Sequence, residues 1–297
     1  MNLVGDIGGT TCKIAIIHNS KILAMTVLEY PEQVTFERKM DFVLEKAKEI
    51  SKASNQNYSE INRIGLSFPG IVDPISTRVL SINDKHEGIL EFDFIAWAIE
   101  KGFLKIVLEN DARAALMGEY SMNFKRQQIK NCVGITLGTG IGTAVIINEN
   151  LLHGSNFQAA INMGHQIVEI HGNTCNCGGL GCAESYASTW SMRRDTVFSS
   201  FRVLFDEIER KHPNALAYFE QCLDVWAACI LNLSYAYDPE VIVIGGGVMN
   251  QSNRILPQLE NKVRKLSWKG YKHPELISST LLEKSALFGM NALLDIK

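Results

Sequence analysis

Residues 3–17 read Leu-Val-Gly-Asp-Ile-Gly-Gly-Thr-Thr-Cys-Lys-Ile-Ala-Ile-Ile. Two apolar runs, Leu3–Val4 and Ile14–Ile17, flank Gly8 and Gly9, a spacing that predicts strand, glycine turn, strand. The runs are continuous rather than alternating, the pattern of strands buried on both faces. The same arrangement returns in the second half, where Val133–Leu137 and Ala144–Ile147 enclose Gly138-Thr-Gly-Ile-Gly-Thr143. At an offset of 130, Ile7-Gly8-Gly9-Thr10 lies over Leu137-Gly138-Thr139-Gly140, and Ile14–Asn19 over Ala144–Glu149. Self-similarity at that distance predicts a duplicated α/β domain rather than a short-repeat solenoid.

Outward from these turns, Phe36, Met40, Val43, Leu44, Ala47 and Ile50 stand at helical spacing within 36–52. Ile61–Phe68 reads as a strand ending at Pro69-Gly70. Ile106–Leu108 is another strand, with Asn110-Asp111 at its end, and Ala112–Tyr120 follows as a helix. A long helix over 214–236 carries Leu216, Phe219, Leu223, Trp226, Ile230 and Leu233 near one stripe, stopped by Asp238-Pro239. Val241–Ile244 is a buried strand delivering Gly245-Gly246-Gly247, and Ser285–Leu294 is a closing helix. The expected domains are 1–115, completed by 285–297, and 116–284.

A length of 297 residues suits about two domains. Hydrophobic residues at 46% and charged residues at 21% are ordinary for a globular chain and argue against disorder, collagen and coiled coil. The net charge of −3 and the absence of a Lys/Arg-rich run leave no electrostatic footprint for nucleic acid. No apolar run approaches the ~18 residues of a membrane span. The N-terminus has no basic n-region and no small-residue cleavage site of a signal peptide, so a cytoplasmic location is expected. Seven cysteines, an odd number, argue against a disulfide framework.

Glycine turns after apolar strands let phosphate oxygens approach backbone N–H groups, and threonine hydroxyls add donors. Asp6 can hold a magnesium ion through water, since hard cations prefer oxygen. Neither turn is a Walker A loop, and neither has dinucleotide-binding spacing. Each taken alone is also a tight hairpin needing glycine for geometry. With Gly245–Gly247, three clusters fit a nucleotide held by two domains. Asp111, at a strand end, can accept a proton from an attacking hydroxyl, or can cap the following helix. His165, Cys175, Cys177 and Cys182 offer an imidazole and three thiolates among glycines, a closed set that suits structural zinc. Buried free thiols or a redox pair are the alternatives. Cys12, Cys132, Cys222 and Cys229 lie in apolar surroundings and read as core.

Together these residues resemble the ROK family (repressors, uncharacterised frames and sugar kinases), within the actin-like, hexokinase-like ATPase fold. Asp6–Thr10 is similar to its first phosphate motif, and Gly65–Gly70 with Asp73 to its sugar loop. Glu109–Asp111 resembles its catalytic motif, Leu137–Gly142 its second phosphate motif, Gly164-His165 with Cys175–Glu184 its zinc signature, and Ile244–Gly247 its adenosine motif. The resemblance implies an ATP-dependent sugar kinase with magnesium and structural zinc, two domains with a cleft between them, and a homodimer. It implies Asp111 as general base. It puts Asp6, Gly8, Gly9, Thr10, Thr11, Lys13, Gly138, Thr139, Gly140, Gly142 and Gly245–Gly247 at the nucleotide, and Gly70, Asn83, Asn110, Asp111, Asn162, His165 and Glu184 at the sugar. His165 would then serve zinc with one ring nitrogen and sugar with the other.

One position departs from the family pattern. Three residues before the zinc-binding histidine the family has Glu; here stands Asn162. Asn is neutral and offers a donor as well as an acceptor. A 2-acetamido sugar, or a glycoside with a substituted anomeric oxygen, is therefore expected in place of plain glucose. The competing function class is a sugar-sensing regulator or a non-catalytic sugar-binding protein acting through a partner. Family repressors carry a helix-turn-helix segment ahead of the first phosphate motif. Asp6 stands close to the first residue, so direct DNA binding is not expected.

Overall fold

The computed structural model describes residues 1–9, 11–31, 34–82 and 86–296. In chain order the strands are β1 (Asn2–Ile7), β2 (Thr11–His18), β3 (Lys21–Glu29), β4 (Arg63–Phe68), β5 (Ile71–Asp73), β6 (Arg78–Ser81), β7 (Lys105–Asn110), β8 (Cys132–Leu137), β9 (Ile141–Ile147), β10 (Asn150–Leu151), β11 (Val241–Gly245) and β12 (Glu275–Ser278). The helices are α1 (Phe36–Ala53), α2 (Phe94–Glu100), α3 (Asp111–Glu119), α4 (Thr189–Asp195), α5 (Phe201–Glu209), α6 (Pro213–Tyr237), α7 (Ser252–Leu266) and α8 (Ser285–Asp295). The chain divides into two compact units. One comprises Met1–Phe124, Gly154–Phe157 and Glu283–Lys297; the other comprises Lys125–His153 and Gln158–Leu282.

The sheet of the first unit has the order β3-β2-β1-β4-β7, with β2 antiparallel to its neighbours and β1, β4 and β7 parallel. Side chains alternate across such a sheet. Leu3, Ile7, Ile14 and Ile16 pack with Phe36, Met40 and Val43 of α1. Val4, Ala15 and Ile17 face Ala114 of α3 and Leu287, Met290 and Leu294 of α8. Both faces are covered, which is why these strands are continuously apolar. Thr35 starts α1 by accepting from the Arg38 N–H at 3.3 Å, and Asp93 starts α2 by accepting from the Ala96 N–H at 2.9 Å.

The second unit repeats the topology, with sheet order β10-β9-β8-β11-β12 and β8, β11 and β12 parallel. The equivalence slips at the hairpin. Ile7 pairs with Cys12 across the first turn, and Leu137 with Ile141 across the second, which is one residue shorter. The offset is therefore 130 before the turn and 129 after it, and Ala15, not Ile14, lies over Ala144. Ladder pairing decides register, and hairpin length sets it.

Helix α6 begins at Pro213, suited to a first helical position, and ends where Asp238 turns left-handed at φ 43°. Phe219, Leu223, Trp226, Ile230 and Leu233 are buried as expected. Leu216 is 44% exposed; in the first turn Ala215 faces the core instead. Among the described residues, no helix is long and apolar enough to cross a membrane.

Helices α3 and α8 cross closely because glycines meet. A methyl group at Gly289 would overlap the Ala114 carbonyl oxygen, and one at Gly118 would overlap that of Ser285. Gly289→Ala is expected to destabilise the chain by about 2 kcal/mol or more, as overpacking does. The unfolding midpoint in urea checks this, and an unchanged midpoint would refute the close approach.

Candidate active site

Parallel strands ending at one level bring their last residues together. In the first unit Asp6 is level with Ser67 on β4, Ser67 with Glu109 on β7, and Phe68 with Asn110. The Ser67 hydroxyl donates to Asp6 Oδ1 at 3.0 Å. Lys13 is the cross-strand partner of Asp6 on β2, and its Nζ lies 3.4 Å from Glu283. Burial raises the Asp6 pKa, while Ser67 and Lys13 push the other way.

Asp111 opens α3. Its Oδ1 accepts from the Ala112 N–H at 2.7 Å and from the Asn110 amide at 3.1 Å. Burial, and next the charge of Asp6, push it up to about 7. The helix is capped by its neighbour: Asn110 Oδ1 accepts from the Arg113 N–H at 3.1 Å. The capping role open to Asp111 from the sequence is thus taken by Asn110. The Asn110 amide also donates to the Gly70 carbonyl at 2.9 Å. Gly70 has φ 119°, and a side chain there would strike the Ser81 carbonyl oxygen. Asn110 therefore ties the Pro69-Gly70 loop to the β7–α3 junction that bears Asp111.

Beneath this junction lies an ion pair absent from the sequence reading. Arg113 and Glu109 are both buried, with Nη1 and Oε1 3.6 Å apart. Glu109 Oε1 also accepts from the Asn110 N–H at 2.8 Å, and Arg113 Nη2 donates to the Phe157 carbonyl at 3.1 Å. The available signal was a Glu and an Arg four apart, which ordinarily reads as a surface pair. Gly9 is partly exposed and Thr11 exposed at the first turn. Thr10 and Asn83 lie outside the described residues.

In the second unit the Gly138–Gly140 turn rests on the start of α4. The Gly138 and Thr139 carbonyls accept from the Thr189 and Trp190 N–H groups at 2.9 and 3.1 Å. Gly246, at φ 91°, has no room for a side chain against the Leu137 carbonyl, so the Gly245–Gly247 cluster abuts the strand entering this turn. Side chains at Gly138 or Gly247 would meet nothing within 4 Å. Glu184 is buried, accepts from the Ile141 N–H at 2.8 Å and from Asn176 Nδ2 at 3.3 Å, and occupies the space beside Gly140. Its carboxylate thus joins the second turn to the cysteine loop.

The cysteine loop closes on itself through two isolated bridges, Ile167 with Cys182 and Thr174 with Leu180. Gly178 and Gly181 take φ of 89° and 71°, as the tight path demands. The ligand atoms of His165, Cys175, Cys177 and Cys182 lie within 4.8 Å of one another. Cys177 and Cys182 Sγ are 3.6 Å apart, and Cys175 Sγ is 3.5 Å from His165 Nδ1. Zinc–sulfur bonds of about 2.3 Å in a tetrahedron give sulfur–sulfur edges of about 3.8 Å, so the donor set fits zinc in size and kind. His165 turns Nδ1 to the thiols, leaving Nε2 as the nitrogen away from them. Asn162 is exposed, and its carbonyl accepts from the His165 N–H at 2.9 Å. Cys12, Cys132, Cys222 and Cys229 are buried core residues.

Residues 4–296 match the model of the ROK family. The chain is 26% identical to a glucokinase of Thermotoga maritima, over 97% of this chain and 96% of that protein. It is 30% identical to an N-acetylmannosamine kinase of Vibrio cholerae, over 82% of each. It superposes with a TM-score of 0.80 on a ROK family glucokinase from Streptomyces griseus in complex with glucose and AMPPNP, at 25% identity and covering 98% of each chain. With its two mixed sheets of one topology, the chain has the actin-like ATPase fold and belongs to the ROK family.

Proposed function

We propose that the chain is an ATP-dependent sugar kinase in which Asp111 is the general base for transfer of the γ-phosphoryl group to a sugar hydroxyl, by default the 6-hydroxyl of a hexose-type sugar. The observation that carries this is the placement of Asp111: a carboxylate at a parallel-strand end, beside Asp6, with its pKa raised to about 7. A base titrating near neutrality accepts a proton efficiently at neutral pH. The glucokinase and N-acetylmannosamine kinase relatives support the reaction class. Asp6 is an oxygen donor suited to a water-bridged magnesium ion, which would supply charge neutralisation at the phosphates. The nucleotide is assigned to Gly8, Gly9, Thr11, Lys13, Gly138, Thr139, Gly140, Gly142 and Gly245–Gly247.

The sugar is assigned to Gly70, Asn110, Asp111, Asn162, His165 and Glu184. Zinc, held by His165, Cys175, Cys177 and Cys182, would fix the tautomer and aim of the His165 ring. Asn162, exposed and neutral, favours an N-acetylhexosamine or a β-glucoside over free glucose.

An ADP-release assay with magnesium-ATP and a panel of glucose, mannose, N-acetylglucosamine, N-acetylmannosamine and cellobiose tests the reading. Turnover is expected, fastest on an acetamido sugar or glucoside, with Asp111→Asn lowering kcat by about 10²–10⁴. Near-native turnover in that variant would remove Asp111 as base, and glucose as the best substrate would remove the argument from Asn162.

The raised pKa carries a sign for both activity and stability. The ionised form is the base, so kcat/KM should rise with pH to a plateau with a midpoint near 7. The folded state holds this proton where the unfolded chain has released it, so Asp111 costs stability as pH rises from about 4 to 7. Asp111→Asn should be as stable as the parent near pH 4 and more stable at pH 8, by ~1–3 kcal/mol. A pH-independent difference in Tm would contradict the assignment.

One zinc per chain is expected by elemental analysis, with Cys182→Ser lowering the stoichiometry and weakening the sugar KM more than the ATP KM. Full metal retention in that variant would exclude the four-ligand site.

A further inference from the structure

Arg113 is one of the largest fully buried side chains in the molecule, at 0% exposure. Its position is doubly unfavourable. Burial penalises a guanidinium, and the first turn of a helix repels a cation. Such a residue persists where its donors hold something that otherwise stays loose. Nη1 faces Glu109, the carboxylate that accepts from the Asn110 N–H at 2.8 Å. Nη2 donates to the carbonyl of Phe157 at 3.1 Å. Phe157 adopts φ 55°, a left-handed conformation that a bulky aromatic residue takes only when its surroundings impose it.

Phe157 ends the short stretch Gly154–Phe157 that clusters with the first unit, while the residues on either side of it belong to the second. Five residues further along the chain stands Asn162, and eight further stands His165. One guanidinium thus grips the strand end that carries Asn110 and Asp111 and also the start of the segment that leads to two residues assigned to the sugar. The planar fork of arginine can do both at once; the single ammonium of lysine cannot.

We infer that Arg113 is a positioning residue for the phosphoryl acceptor. By holding the Phe157 carbonyl and Glu109 together, it anchors the residue from which the chain departs toward Asn162 and His165 to the strand end that bears Asn110 and Asp111. The inference rests on the kinase reading. Turnover by the parent protein tests that reading separately from the variants.

The test compares the full-length protein with Arg113→Gln and Arg113→Lys on the best sugar of the panel. Expected for Arg113→Gln are a rise of at least tenfold in sugar KM, a fall of about tenfold in kcat, an ATP KM within twofold of the parent, and a displaced midpoint in the pH dependence of kcat/KM. Arg113→Lys keeps the charge near Glu109 but releases Phe157. It should restore the pH midpoint while leaving the sugar KM several-fold raised. Absence of turnover in the parent would overturn the kinase reading. Parent turnover with an unchanged sugar KM in a folded Arg113→Gln would overturn the positioning role. If Arg113→Gln does not fold, Arg113→Lys decides: a parent-like sugar KM overturns the inference, and a raised one with unchanged ATP KM supports it.

Discussion

Asp6 and Asp111 stand at the ends of β1 and β7 with only β4 between them, and neither is freely solvated. Two carboxylates in such a place cost desolvation, and the charge of one raises the proton affinity of the other. Much of the surrounding structure answers that constraint. Ser67 donates to Asp6, and Lys13 sits across the hairpin with its positive charge. Asp111 receives an amide from Asn110 and the Ala112 N–H of its own helix. The two acids are thereby made unequal. Asp6 has a hydrogen bond and a cation supporting its charge; Asp111 has hydrogen bonds but also the like charge of Asp6. Unequal environments for paired carboxylates are how one site separates charge-holding from proton-accepting roles.

The second unit has the same sheet with different ends. Thr136 takes the place of Asp6 in the duplicated register, and Gly245 pairs with it where Ser67 pairs with Asp6. No acid is introduced there. The strand ends carry glycine instead, and glycine leaves backbone N–H groups approachable. At these matched strand-end positions one copy thus carries an acid and the other threonine and glycine. The one-residue difference in hairpin length accompanies this divergence: the longer turn follows the acid, and the shorter one is braced by α4 and by Glu184.

The sheets were readable because parallel strands covered on both faces have no polar side to show. The cysteine cluster was readable because three of its ligands are local, with His165 brought in by the short bridge between Ile167 and Cys182. The rest depends on pairings that spacing does not encode. Whether Asp111 caps its helix turns on the side chain of Asn110, since either residue type caps equally well. The hairpin offset turns on a ladder register. Glu184 meets Ile141 from 43 positions away, and nothing local to either residue announces it. Arg113 was invisible for a different reason. A Glu and an Arg at helical spacing describe a solvated face in most helices, whereas here both are buried and Arg113 also donates to the Phe157 carbonyl.

The segment between Phe157 and His165 is held in place by several contacts. Phe157 and Ala160 both take positive φ without being glycine, at 55° and 63°. Each is held by a side chain from outside the segment: Arg113 donates to the Phe157 carbonyl, and the Thr143 hydroxyl to that of Ala160. Thr143 Oγ1 also accepts from the Met163 N–H at 3.2 Å. Beyond it, His165 is fixed by the thiols on one side and by its own N–H to the Asn162 carbonyl on the other. Backbone strain of this kind survives only where several contacts impose it. The main chain at Asn162 therefore has little conformational freedom, while its side chain is exposed. Under the kinase reading, discrimination among acceptors falls to the chemistry of that amide, a donor and an acceptor in place of a charge, and not to movement of the loop that carries it.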